Sequence, residues 1–319
     1  MRRQTVVRDA LLLSFSILVA IIPLQAQDKM ATVPVRMTVT VRLLDKDKRM
    51  PDVSREDVIV RQGKDRLKVT GWRSARQGLA GLDLFILIDD TSDPSLGSQL
   101  DDLKAFINAQ PPTTSVGVGY MRNATVQIVQ NFTTDHSQAA KALRLPVASS
   151  GAYGSPYLSV INLMKRWPGH PNRREVIMVT DGIDRARGGP RYRGLSFIVP
   201  DVDSASRVAQ RTGTIIHTIF TRGVGRLGSN FWEITNGQNA IAKLSEETGG
   251  WSFYLGTENA VSFKPYLDDL QSILNNQYLL DFRALPGKKA GLQRIRLSTE
   301  VAGVELDSAD SVWVPSSGQ

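Results

Sequence analysis

The chain has no cysteine among its 319 residues. That absence rules out a disulfide framework, a thiol nucleophile and lipid attachment through a cysteine. Imidazole is scarce too: His136, His170 and His217 are the three histidines. None sits in a triad motif, and the sequence holds neither a His-Glu-x-x-His zinc helix nor a Walker phosphate loop. A phosphatase built on a strand-end Asp-x-Asp would need a carboxylate where Thr91 stands. With these groups missing, a non-enzymatic role is expected.

Long apolar runs are equally rare. One, Leu11 to Leu24, follows Arg2, Arg3 and Arg8 and precedes the small Ala26. It is short for a stable span and reads as a secretory signal peptide over residues 1–26, with an uncleaved amino-terminal anchor as the alternative. No other stretch approaches membrane length, so no span is expected after cleavage, and the mature chain is placed in the periplasm or outside the cell. The formal charge is +8, and removing residues 1–26 takes away three Arg and one Asp, leaving +6. The basic residues are scattered or grouped in loops such as Arg173-Arg174 and Arg185 to Arg193. In an exported chain this pattern suits an acidic partner or polyanionic surface better than nucleic acid, and solvated loops are the other reading.

What the sequence does have is order. With 41% hydrophobic residues it can build a substantial core. At the amino-terminal end Met37 to Leu43, Asp57 to Arg61 and Leu67 to Trp72 alternate apolar with polar between turn signals, as a small antiparallel β unit does. Tyr278 to Arg283, Gln293 to Ser298 and Ser311 to Val314 have the same character at the other end. Neither flank holds enough strands for an independent core. The two are therefore expected to pair into one β-sandwich-like unit, segment 27–80 with segment 278–319. Between them, residues 81–277 alternate strand and helix, which predicts an α/β domain with a doubly wound, mostly parallel sheet and helices on both faces. Thr125 to Val129, reached by a short turn, is its antiparallel edge, and His217 is a packed core histidine.

The centre of that domain is Leu84-Phe85-Ile86-Leu87-Ile88, a strand buried on both faces that delivers Asp89, Thr91 and Asp93 to a loop at its carboxyl end. Oxygens so placed suit a hard cation. They are also ordinary turn and helix-cap residues, so a metal-free turn stays open. A second apolar strand ends in Thr180-Asp181-Gly182, and Ser155 opens an amphipathic helix striped by Tyr157, Val160, Ile161, Met164 and Trp167.

Taken together, these stretches resemble the von Willebrand factor type A (VWA) domain, specifically the bacterial secreted subgroup, over roughly residues 82–277. The family's metal-ion-dependent adhesion site has Asp-x-Ser-x-Ser after the first strand, a distant Thr and a Thr-Asp-Gly turn. The resemblance places Asp89, Thr91, Asp93, Ser155 and Asp181 on those positions and implies a divalent cation, Mg²⁺ first, with Mn²⁺ or Ca²⁺ as alternatives. Asp93 stands where a neutral hydroxyl belongs. Three carboxylates around one ion would weaken its pull on an acidic ligand. The implied function is non-enzymatic binding of a protein, matrix or envelope partner through a degenerate adhesion site, and the alternative is a metal-independent scaffold or envelope-assembly component. Ser92, Tyr153, Tyr157, Arg185 and the loop from Gly223 to Phe231 are the candidate partner-facing residues.

Overall fold

The structure is a computed structural model that describes residues 32–45, 50–76, 80–147, 154–185, 201–225, 230–254 and 256–316. The expected signal segment, Tyr153 and most of the basic loop after Arg185 lie outside the described residues. Among those described, three strands come first: β1 (Val33–Leu43), β2 (Val58–Gln62) and β3 (Asp65–Ser74). The alternating α/β stretch then runs β4 (Leu82–Asp89), α1 (Gly97–Asn108), β5 (Thr114–Arg122), β6 (Thr125–Thr133), α2 (His136–Lys141), α3 (Pro156–Lys165), β7 (Arg173–Thr180), α4 (Val202–Thr212), β8 (Thr214–Phe220), α5 (Phe231–Thr248), β9 (Ser252–Phe253) and α6 (Lys264–Asn275). Four strands close the chain: β10 (Gln277–Ala284), β11 (Gly291–Thr299), β12 (Val304–Ser308) and β13 (Ser311–Val314).

The α/β strands form one sheet in the order β6-β5-β4-β7-β8-β9. Every pairing in it is parallel except β5 with β6, the antiparallel edge expected from the sequence. β4 is central, and its apolar run divides by period two between the two faces. Leu84, Ile86 and Ile88 pack with Leu100, Leu103 and Ile107 of α1 and with Leu267, Leu270 and Leu274 of α6. Phe85 and Leu87 face the other way, onto Val160 and Leu163 of α3, Ala205 and Ala209 of α4 and Ile241 and Leu244 of α5. A strand covered by helices on both sides has no polar face to keep, which is why its sequence is apolar without alternation.

The flanking strands interleave across the whole chain. Their order is β12-β1-β10-β3-β2-β11-β13, so each end supplies neighbours to the other. Met37 lies opposite Leu280 and Val41 opposite Leu306 across antiparallel ladders. Trp72 of β3 stacks on Tyr278 of β10 with centroids 4.4 Å apart. The strands form one sheet whose inward residues share a single core, with Val39, Val60, Leu280 and Phe282 fully buried, so the unit is one sheet curled on itself. β3 and β10 are adjacent, and the Ala75 N–H donates to the Gln277 carbonyl at 2.8 Å. The α/β stretch thus leaves and re-enters the flanking sheet at one point. Residues from 32 onward belong to one compact unit, and among the described residues no helix is long and apolar enough to cross a membrane.

Candidate functional site

Parallel pairing brings the carboxyl ends of β4, β7 and β8 side by side, the usual place for a site in an open α/β sheet. Asp89 ends β4, and both of its oxygens are engaged. Oδ1 accepts from the Thr91 N–H (2.9 Å) and Thr91 Oγ1 (2.7 Å), and Oδ2 accepts from Thr180 Oγ1 at 2.8 Å. The hydroxyl of Thr180 in turn accepts from the Gly182 N–H at 3.1 Å. Two strands ninety-one positions apart in sequence are therefore joined through one carboxylate.

Asp181 is 1% exposed, and its partner is a cation from its own segment. Arg185 Nη1 donates to Oδ1 at 3.0 Å and Nη2 to Oδ2 at 2.5 Å, while Oδ1 also takes the Ile183 N–H at 2.9 Å. Burial pushes the Asp181 carboxyl above its usual range, the guanidinium opposes that push, and the charge of Asp89 adds to it. For Arg185 burial works against the charge, yet the bonds and charge of Asp181, with Asp89 and Glu233 behind it, hold its pKa above the ordinary value. The pair is a bidentate, charge-assisted one.

The other expected site residues are placed as follows. Asp93 turns toward its own loop, where Oδ1 accepts from the Ser95 N–H at 2.8 Å. Ser155 caps α3, its hydroxyl accepting from the Leu158 N–H at 3.3 Å, with Pro156 at the first helical turn. Among the described residues no three Asp, Glu and His side chains gather closely enough to hold a metal ion between them. The expected ring of Asp89, Asp93 and Asp181 around one ion is therefore not formed. Both oxygens of Asp181 are taken by Arg185, so as arranged these residues do not fit a divalent cation.

The partner-facing expectations need correction as well. Ser92 is 1% exposed and Tyr157 4% exposed. The Ser92 backbone bridges Gly223, and the Tyr157 hydroxyl donates to the Gly182 carbonyl at 2.7 Å. The Arg185 side chain, 9% exposed, is spent on Asp181. The Tyr157 and Arg185 side chains are held inward by these bonds, and Ser92 by its backbone bridge. Phe231, at the end of the expected loop, is exposed.

Three residues that sequence reasoning did not single out complete the site. Thr180 ties β7 to Asp89, as described. Asp90, also buried, takes both nitrogens of Arg144 at 2.7 and 3.1 Å and the Val147 N–H at 3.0 Å. The Arg144 guanidinium lies 3.8 Å over the Tyr120 ring. Adjacent acids at a strand end were the available signal, because side chains on alternate faces must find separate partners: hydroxyls for Asp89 and a cation for Asp90.

α5 rests directly on the Asp181 turn. A Cβ on Gly237 would lie 2.2 Å from the Asp181 carbonyl oxygen, and one on Gly182, whose φ is +71°, would lie 2.4 Å from the Gly237 carbonyl. Backbone meets backbone there. Gly237→Ala must push the helix off the end of β7, with an expected loss of about 1–3 kcal/mol, read as a lower urea midpoint at unchanged slope.

No protein-family model matches the chain, and no curated protein matches it either. Solved structures similar to it include many VWA domains. Von Willebrand factor type A from Catenulispora acidiphila is 9% identical over 79% of this chain and 75% of that one, with a TM-score of 0.41. The ArnB paralog VWA2 from Sulfolobus acidocaldarius is 10% identical over 89% and 76%, with a TM-score of 0.36. The pilus adhesin SpaC from Lactobacillus rhamnosus GG is 8% identical over 81% and 48%, with a TM-score of 0.44. Likeness this distant says nothing of what the protein does. What stands is the arrangement itself: a central, mostly parallel sheet with one antiparallel edge and helices on both faces, a doubly wound α/β fold.

Proposed function

We propose that this is an exported, non-enzymatic interaction module that docks a protein partner at the carboxyl end of its parallel sheet. One observation carries the reading: Phe231 and Trp232, at the start of α5, are 61% and 74% exposed and packed edge to face with centroids 5.9 Å apart. The pair begins α5, whose first two turns come close to the Asp181 segment: the charge of Glu233 acts on Arg185, and Gly237 lies against the Asp181 carbonyl. Large aromatics held in water are what an interface would bury, and Trp is the residue most enriched among binding hot spots.

Catalysis has little support at the same end. His136 contacts the Thr114 carbonyl and His170 the Asp83 carboxylate, both at the amino ends of strands, and His217 lies within β8. No imidazole stands beside Asp89 or Asp181 among the described residues. The proposed export rests on the signal-like segment over residues 1–26.

Trp232→Ser tests the docking surface. Expected are a melting temperature within error of the wild type and a loss of partner affinity of about 2 kcal/mol or more, roughly 30-fold in Kd. The measurement is retention of partner from an envelope extract, followed by titration of the purified partner. Unchanged retention by the variant would move the docking surface elsewhere.

A further inference from the structure

We infer that Arg185 is the site's own cation: its guanidinium takes the place that the VWA resemblance assigns to a divalent ion, which makes the site independent of metal. The inference stands on the Asp181–Arg185 geometry and holds whether or not a partner docks at Trp232.

Three observations carry it. Both oxygens of the buried Asp181 carboxylate, just past the end of β7, are bonded by the two terminal nitrogens of Arg185, at 3.0 and 2.5 Å. A planar guanidinium matches a carboxylate in this fork-to-fork manner, and it stays charged at any pH the protein meets. Second, the cation arrives on the same short segment as the acid, four residues on. An ion from solution must compete with a charge tethered at high effective concentration, of order mM or above for short connections. Third, the pair is closed in from above. The 221–224 loop is fastened to the Asp89 loop by the Asp93 N–H to the Arg222 carbonyl (2.9 Å) and the Val224 N–H to the Thr91 carbonyl (2.8 Å). A Cβ on Gly223 would lie 2.0 Å from Asp181 Oδ2 and 2.4 Å from Arg185 Nη2. Only a residue without a side chain lets that loop lie against the ion pair.

The arrangement has a functional consequence. A bound metal with an open position would grip an acidic side chain of a partner, whereas a guanidinium already shared between two oxygens offers no such grip. Recognition then falls to uncharged and aromatic contacts on the same end.

The experiment uses the full chain and Mn²⁺ as the probe, with metal content read by electron paramagnetic resonance and stability by thermal unfolding. The wild type is expected to bind no stoichiometric Mn²⁺ and to melt at the same temperature with Mn²⁺, Mg²⁺ or EDTA. Arg185→Ala, with the carboxylate freed, is expected to melt lower and to regain stability with Mn²⁺ or with methylguanidinium. Arg185→Ala/Asp181→Asn, which lacks the carboxylate that the cation bridges, should respond to neither. One Mn²⁺ bound per wild-type chain overturns the inference, and so does an Arg185→Ala protein that folds but gains nothing from either cation. Should Arg185→Ala give no folded protein, Arg185→Lys carries the comparison: continued indifference to Mn²⁺ supports a built-in cation, and stoichiometric uptake overturns it.

Discussion

Glu175→Ala is expected to lower the unfolding free energy by about 3–5 kcal/mol, the cost of stranding a buried charge. Glu175 lies in the middle of β7 with no exposure at all. Its Oε2 is 2.9 Å from His217 Nε2 on β8, and Arg173 Nη1 is 3.5 Å from Oε1. The protonation of the histidine follows from its other contact. Nδ1 accepts from the Trp251 N–H at 3.1 Å, so Nε2 carries the proton and the ring is a neutral donor to the carboxylate. The negative charge is therefore balanced by Arg173, whose pKa burial pushes down while Glu175 resists. Arg173 also donates to the Gln277 side chain on β10, at the point where the α/β stretch rejoins the flanking sheet. Glu175→Gln separates the contributions. It keeps an acceptor for His217 and removes the charge, so it should recover only the hydrogen bond, about 1 kcal/mol of the loss. Urea unfolding of the two variants measures the difference, and an alanine loss under about 1 kcal/mol would mean that Arg173 finds its counter-charge elsewhere.

How much of this was legible depended on which physical signal a segment carries. β4 could be read because burial on both faces leaves an unbroken apolar run, and β6 could be read as an edge from the short turn before it. The turn holds Asn123 and Ala124 at φ values of 50° and 59°. Helix starts were less legible from apolar spacing alone. Apolar spacing by itself starts these helices at Ala139 and Asn239, whereas α2 begins at His136 and α5 at Phe231. In both cases the cap gives the start: Asp135 accepts from the Gln138 N–H, and Asn230 from the Trp232 and Glu233 N–H groups. Asp135-x-x-Gln138 and Asn230-x-x-Glu233 have the spacing of a capping box. The first two turns of α5 put Phe231 and Trp232 in solvent and bury a glycine, Gly237, so the apolar period is broken there.

The candidate site was half legible for a related reason. Strand ends and turn residues place Asp89 and Asp181 at one end of the sheet, and the structure joins those strands through Thr180. What neutralises the acids is a matter of side-chain reach, which spacing does not state. Asp181 and Arg185 are four apart, a helical spacing in a segment that is not a helix. Arg144 reaches Asp90 from fifty-four residues away. An oxygen-rich loop beside an apolar strand looks the same in sequence whether a metal ion or an arginine completes it.

Asp181→Ala is the second large expected loss, again about 3–5 kcal/mol, because the Arg185 guanidinium would stay buried without its partner. Neighbouring carboxylates cannot take over cheaply: Asp89 already accepts three hydrogen bonds from Thr91 and Thr180. The loop above should loosen as well, since Gly223 lies against both members of the pair. Hydrogen exchange at the Val224 and Asp93 amides, which fasten that loop, is expected to quicken more than exchange at the centre of β4. Asp181→Ala/Arg185→Leu removes both members of the pair, strands neither, and should cost less than Asp181→Ala alone. The coupling in a double-mutant cycle is then favourable by more than about 1 kcal/mol. Additive losses, or a single-variant loss under about 1 kcal/mol, would mean that Arg185 swings to solvent when released. The ion pair would then be a passenger in the loop closure rather than its cause.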